Sequence, residues 1–240
     1  MAPRWWSSEP EPAATLSSEP SGADSPESDE ASMTVMQAEE TPEQSFVEEV
    51  RSDGQPAWIS AELPDQYAEI ARQIAALREQ ARAYEGVAGV LWQRGSALTS
   101  AVRDLFVAVG FEAELAEYGS HCDLRVNLGD NRRLLVEVVS EEQGLDRRSP
   151  HLGRILKLLQ EEAGERDRIV LAVNVFPDVQ PSARRKEPVT IEALRLIQGL
   201  GANFVPTSAL FGIWKRSLTE PEQARNSVMN IYSMDGGIFR

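Results

Sequence analysis

The chain reads as an α/β protein, a mixed β-sheet between helices, with a long amphipathic helix and an acidic arm in front of it. Three observations predict this class. Between residues 91 and 216, apolar runs of the β type alternate with runs whose apolar positions repeat every three or four residues, the order of a sheet covered by helices. Within that stretch two β-rich runs, residues 123–128 and 134–139, flank Gly129-Asp130-Asn131, the short-range signature of a hairpin. Finally, charge is uneven: residues 1–90 carry five basic and eighteen acidic side chains, whereas residues 91–216 carry seventeen of each.

The elements follow in order. Residues 1–56 are rich in Ser, Glu, Pro and Ala, with too little apolar surface to offset the entropy of ordering them, so a disordered acidic arm is expected. Over residues 63–92, Leu63, Tyr67, Ile70, Ile74, Leu77, Ala81, Tyr84, Ala88 and Leu91 fall at alternating spacings of four and three, a coiled-coil seam. Either a second copy covers that seam or the following domain does. Residues 95–109 read as a helix stopped by Gly110, and residues 111–118 as a strand with one solvated face. After the hairpin, whose second strand is apolar on both faces, come a helix over 150–163, a buried strand over 169–176 and a helix over 189–200. A short strand at 204–206 and a helix at 208–216 close the domain, and residues 217–240 read as a partly helical tail.

The formal net charge of −14 and a pI near 4.7 argue against a polyanion partner, but this average hides a balanced domain with local basic clusters. A single cysteine, Cys122, excludes an internal disulfide framework and fits a reducing compartment. No apolar run approaches the roughly 18 residues that span a bilayer, and Trp5-Trp6 leads straight into Ser, Glu and Pro rather than an apolar signal core. A cytoplasmic protein without a membrane partner is expected.

Side chains alternate along a strand, so Asp123, at the start of the first hairpin strand, and Glu137, within the second, converge at one end of the pair. An Asp, a turn and then apolar-Glu-X-X on the next strand resembles the core of the PD-(D/E)XK, restriction endonuclease-like superfamily. Asn174 with Pro181 and Arg184, V-T-I-E-A-L from Val189 and V-P-T-S-A-L-F from Val205 are similar to elements of the Mrr-like members. The resemblance covers residues 91–216. It implies a mixed sheet flanked by helices, with Asp123 and Glu137 as catalytic acids that hold Mg²⁺ against a scissile phosphate. It also implies a lysine where this chain has Val139, and often an acid on the first helix where Thr99 and Ser100 stand.

Valine neither activates water nor stabilises developing charge, a role commonly worth about 10² to 10⁴ in rate. Lys157 or Arg154, on the next helix, is a candidate for a relocated basic group, or else flanks that helix's apolar face. If the acids hold no metal, a salt bridge with Arg125 or Arg132 is expected instead. His121, Cys122, Asp123 and His151 are metal-ligand types, but neighbours on a strand point apart, and they read as a buried cysteine and incidental histidines. Arg132, Arg133, Arg147, Arg148, Arg184, Arg185 and Lys186 all fall in loops, where phosphate contacts are made; they form a groove if they share a face with the acids and are ordinary loop charge if scattered. The resulting expectation is a catalytically degenerate nuclease-fold protein that binds nucleic acid or a protein partner within a bacterial DNA-processing or defence system. The alternatives are an active Mg²⁺-dependent endonuclease and a partner-binding module without DNA affinity.

Overall fold

The computed structural model describes residues 56, 58–184 and 187–239; the acidic arm expected over residues 1–56 lies, apart from Pro56, outside them. A single helical turn α1 (Ile59–Glu62) leads through Pro64 into the long helix α2 (Asp65–Ala88), whose end tightens into a 3₁₀ turn at Gly89–Leu91. Proline is tolerated there because it precedes the first hydrogen-bonded turn. Then come α3 (Gly95–Val109), β1 (Glu112–Leu115), β2 (Leu124–Gly129), β3 (Arg132–Glu141), α4 (Pro150–Glu161) and β4 (Asp167–Val175). The chain closes with α5 (Ile191–Gly199), β5 (Asn203–Pro206), α6 (Thr207–Ser217), α7 (Pro221–Ser233) and β6 (Gly237–Ile238).

The six strands form one mixed sheet in chain order, β1 to β6. β1, β2 and β3 pair antiparallel, while β3 to β6 run parallel, joined by helical crossovers. The β2–β3 turn takes a left-handed backbone at Gly129, Asp130 and Asn131, which glycine, Asp and Asn tolerate best. Gly110, with φ 97°, stops α3 in the same way.

Two apolar layers hold helices to the sheet. On one face Leu98, Val102, Leu105 and Phe106 of α3, with Leu210 and Trp214 of α6, cover Leu124, Val126, Leu134 and Val136. On the other, Leu152, Ile155 and Leu158 of α4 and Ala193 and Ile197 of α5 cover Leu135, Val139, Leu171 and Val173. The domain does not end at residue 216, where the tail was expected to begin. Ala224, Val228 and Ile231 of α7, spaced at i, i+4 and i+7, are buried in the α3 layer, and β6 adds a sixth strand.

The α2 seam is used unevenly. Tyr84 meets the Trp214 ring edge-on, centroids 5.7 Å apart, and Val87 is buried, so the C-terminal end packs on its own chain. Ile70 and Leu77 remain more than half exposed. No helix among the described residues is long and apolar enough to cross a membrane.

Candidate functional site

Strand pairing brings the two acids together. Asp123 enters β2 with its N–H donating to the Val136 carbonyl (2.8 Å), which sets it beside Glu137 on β3. Its Oδ2 accepts from the Val138 N–H (2.7 Å), so one carboxylate oxygen is spent on pinning the β2–β3 pair. Glu137 belongs to the face of β3 turned to α4 and is completely buried. On α4, His151 and Arg154 stand three residues apart, so they share one side of the helix and reach the same point. Arg154 spans the acids: Nη2 lies 3.2 Å from Asp123 Oδ1 and Nη1 2.8 Å from Glu137 Oε1. His151 Nδ1 lies 2.8 Å from the same Glu137 oxygen.

Glu137 Oε2 is buried without a hydrogen-bond partner among the described residues. Burial, the largest influence, pushes the Glu137 carboxyl above the ordinary carboxylate range. The hydrogen bond with His151 opposes the shift, the charge of Asp123 adds to it, and Arg154 opposes it. Burial and the Asp123 charge thus favour the neutral form of Glu137, and His151 and Arg154 favour the charged one.

Beside the pair opens a cleft of about 520 Å³, lined by Ser96, Thr99 and Ser100 from the start of α3 and by Asp123, Val138 and Arg154. A loop that runs to Asp123 forms its wall, and Glu162, just past α4, holds that loop. Its carboxylate accepts from Ser120 Oγ (2.6 Å), from the His121 N–H and from Arg125 Nη2 (3.2 Å). Burial raises the Glu162 carboxyl, but these three donors outweigh it and hold the group below its usual range.

The remaining expected residues lie elsewhere. Val139 is buried in the α4 layer with Leu135, on the same side of β3 as Glu137, so its position is apolar core. Lys157 is exposed and has no bond to either acid among the described contacts. The salt-bridge partners expected for the acids are engaged away from them, Arg125 with Glu162 and Arg132 with Asp130 (3.0 Å). Arg133 grips the buried Asp167 with two bonds of 2.9 and 2.8 Å. Arg184 donates to the carbonyls of Leu91 (2.7 Å) and Val179 (2.9 Å) and to Asn174 Oδ1 (3.4 Å), while Asn174 donates to the Gln93 carbonyl (3.1 Å). The Asn174 and Arg184 pair thus ties the loop after β4 to the segment before α3. Arg147 and Arg148 are exposed on the loop before α4, and Arg185 and Lys186 lie outside the described residues. Arg132 and Arg133, expected in a loop, are the first residues of β3, because the tight Gly129-Asp130-Asn131 turn starts the strand at once, and none of the described arginines expected to contact phosphate lines the cleft.

His151 is the member of the site that sequence reasoning passed over as incidental. Its signal was the His-x-x-Arg spacing directly after Pro150, which fixes both side chains on one face of the first helical turns. The same spacing explains why Arg154 reaches the acids and Lys157, one turn later, does not.

The donor set as arranged does not fit a divalent metal. Mg²⁺ seeks about six oxygens in octahedral order, whereas Asp123 Oδ1 and Glu137 Oε1 face a guanidinium and Asp123 Oδ2 faces a backbone N–H. Among the described residues no group of three or more His, Cys, Asp and Glu side chains is gathered for a metal ion. No protein-family model matches the chain, and neither a curated protein nor a solved structure matches it.

Proposed function

We propose that this chain is a restriction endonuclease-like protein that has kept the architecture and given up phosphodiester hydrolysis, and that it works by binding nucleic acid or a protein partner in bacterial DNA processing or defence. The order from α3 to β4, a helix, three antiparallel strands, a helix and a parallel strand, supports the family reading. The observation that carries the loss of chemistry is Arg154, whose guanidinium stands between Asp123 and Glu137. An arginine cannot accept a proton from water, and a valine at position 139 cannot orient one. The cation also supplies the charge balance that a metal would otherwise bring to two neighbouring carboxylates.

The test is nicking of supercoiled plasmid by the purified full chain in Mg²⁺ or Mn²⁺. Activity no greater than that of Asp123→Ala is expected, and metal-dependent nicking abolished by Asp123→Ala sinks the reading. That second outcome belongs to an active Mg²⁺-dependent endonuclease whose basic residue has moved to α4. Two observations favour this alternative: Arg154 lines the cleft, and Glu137 Oε2 has no hydrogen-bond partner among the described residues. It requires Arg154 to leave both acids before an ion binds. A protein showing neither nicking nor salt-sensitive DNA binding is instead a partner-binding module. For the exposed seam of α2 we propose a second copy of the chain as partner, since heptad spacing is self-matching.

A further inference from the structure

We infer that an arginine cluster gathered around Tyr232, at the hairpin-turn end of the sheet and outside the acid cleft, is the surface that docks the phosphate backbone of nucleic acid. This inference rests on the nucleic-acid branch of the proposed function and names where that branch is exercised.

Two strands and a helix build the cluster. Arg132 opens β3, Arg166 and Arg168 flank the start of β4, and the parallel pairing of these strands sets them side by side. The Tyr232 ring of α7 sits against the guanidinium carbons of Arg132 (5.8 Å to the centroid) and Arg168 (5.4 Å). Its hydroxyl donates to the Arg166 carbonyl (3.0 Å), which locks α7 to the turn. Arg166 Nη1 reaches back to the Asp130 carbonyl (3.3 Å), and Arg168 Nη1 donates to the carbonyls of Asp167 (2.9 Å) and Glu165 (3.3 Å). Arg168 is thus held by the aromatic face and backbone carbonyls and Arg166 by a backbone carbonyl, contacts that leave their charge unpaired among the described contacts, whereas Arg132, also against the ring, is paired with Asp130.

The nearby carboxylates are mostly occupied. Asp130 pairs with Arg132, and Asp167 is consumed by Arg133 and the Gly164 N–H. Arg166 and Arg168 have no carboxylate partner among the described contacts, and Glu165 is the acid in this turn that forms no side-chain bond there. Segments 129–133 and 164–168 together carry four arginines, at 132, 133, 166 and 168, against Asp130, Glu165 and Asp167, a local excess of one positive charge on a chain of net −14. Arginine forks pre-oriented by stacking suit phosphate oxygens, and each retains donor edges that no described bond uses.

Such a surface tracks the backbone and reads no base edges, so binding should be sequence-independent and salt-dependent. It also leaves the acid pair free of any role in affinity. Arg133 to Glu137 is four residues along β3, roughly 13 Å at strand rise.

The experiment measures fluorescence anisotropy of a labelled DNA duplex with the full chain across a salt series. Wild type is compared with Arg166→Gln, which alters an exposed side chain only, with Arg166→Glu/Arg168→Glu, and with Asp123→Ala; circular dichroism checks folding. The expected result is about a tenfold or greater loss of affinity for the double variant, a log–log salt slope shallower by about 2, a smaller loss for Arg166→Gln and none for Asp123→Ala. Wild-type binding that both arginine variants retain with an unchanged slope overturns the assignment while leaving nucleic-acid binding intact. A wild type without salt-dependent binding overturns the nucleic-acid branch itself, and displacement of DNA from Asp123→Ala alone moves the surface to the cleft.

Discussion

On the face of β3 turned to α3, Leu134, Val136 and Val138 meet apolar side chains, whereas on the face turned to α4 the run Leu135, Glu137, Val139 sets a carboxylate between two core residues. Both faces are buried, apart from the half-buried Val138, but they are held differently. The α3 face is stabilised by area, about 25 cal/mol per Å² of apolar surface removed from water. The α4 face depends on a specific network, because a buried carboxylate is tolerated only when it is paired or neutral. Replacing a side chain on the first face should therefore scale with volume, and on the second with which partner is left alone.

The largest effect is expected on the apolar face. Phe106→Ala, in the fully buried heart of the α3 layer, should lower unfolding stability by about 3–5 kcal/mol in denaturant titration. A loss under about 1 kcal/mol would show that this layer is not the core of the domain.

Next comes the network. Arg154→Ala leaves Asp123 and Glu137 facing one another without their shared cation and should cost about 3 kcal/mol. Adding Glu137→Leu should recover most of that loss, since an apolar replacement removes the buried charge. If the double variant is no more stable than Arg154→Ala, repulsion between the acids is not what Arg154 relieves.

A pH series separates the two carboxylates that flank the site. The Glu137 pKa is raised on folding, so its stabilising contribution is complete below the unfolded value near about 4.3 and is lost as pH rises through the folded pKa. The Glu162 pKa is lowered, so its contribution is present above that unfolded value and is lost as pH falls through the folded pKa. Relative to Glu137→Gln, wild type should gain stability as pH falls through the raised folded pKa of Glu137 toward the unfolded value. Relative to Glu162→Gln it should lose stability as pH falls through the acidic range, and parallel curves in either comparison would contradict the burial argument.

The smallest effect on folding is expected at α2. Leu77→Glu changes an exposed side chain and should shift monomer stability by no more than about 0.5 kcal/mol. In sedimentation equilibrium it should nonetheless convert a dimer to a monomer, and a wild type that is already monomeric removes the proposed second copy.

Most of the sheet was legible because its signals are local. Gly110 and the Gly129-Asp130-Asn131 turn announce a left-handed backbone, and the alternation in β2 agrees with the burial of Leu124, Val126 and Leu128 on one face. Helix in the C-terminal tail was expected, but its place in the core was not, although Ala224, Val228 and Ile231 repeat at helical spacing. An apolar stripe on one short helix does not say which layer will receive it, and here that layer is completed by α3 and α6 from far along the chain. At the site, the convergence of Asp123 and Glu137 could be read from strand periodicity, and Val139 from its place two residues after Glu137. The partner of the acids could not, because Arg125, Arg132, Arg154 and Lys157 are equivalent as charges and differ only in where the fold points them.

Residue spacing therefore dictates the helices, the hairpin and the pairing of the two acids, since each depends on neighbours within a few residues or on one strand contact. The crossover that lays α4 over β3 is a long-range packing event. It places Arg154 and His151 on Glu137 and buries Val139 under α4, and the return of the loop after β4 to the segment before α3 is the long-range contact that ties Arg184 to Leu91. Charges are interchangeable along a sequence and become distinct only when a packed layer gives each a direction and a dielectric.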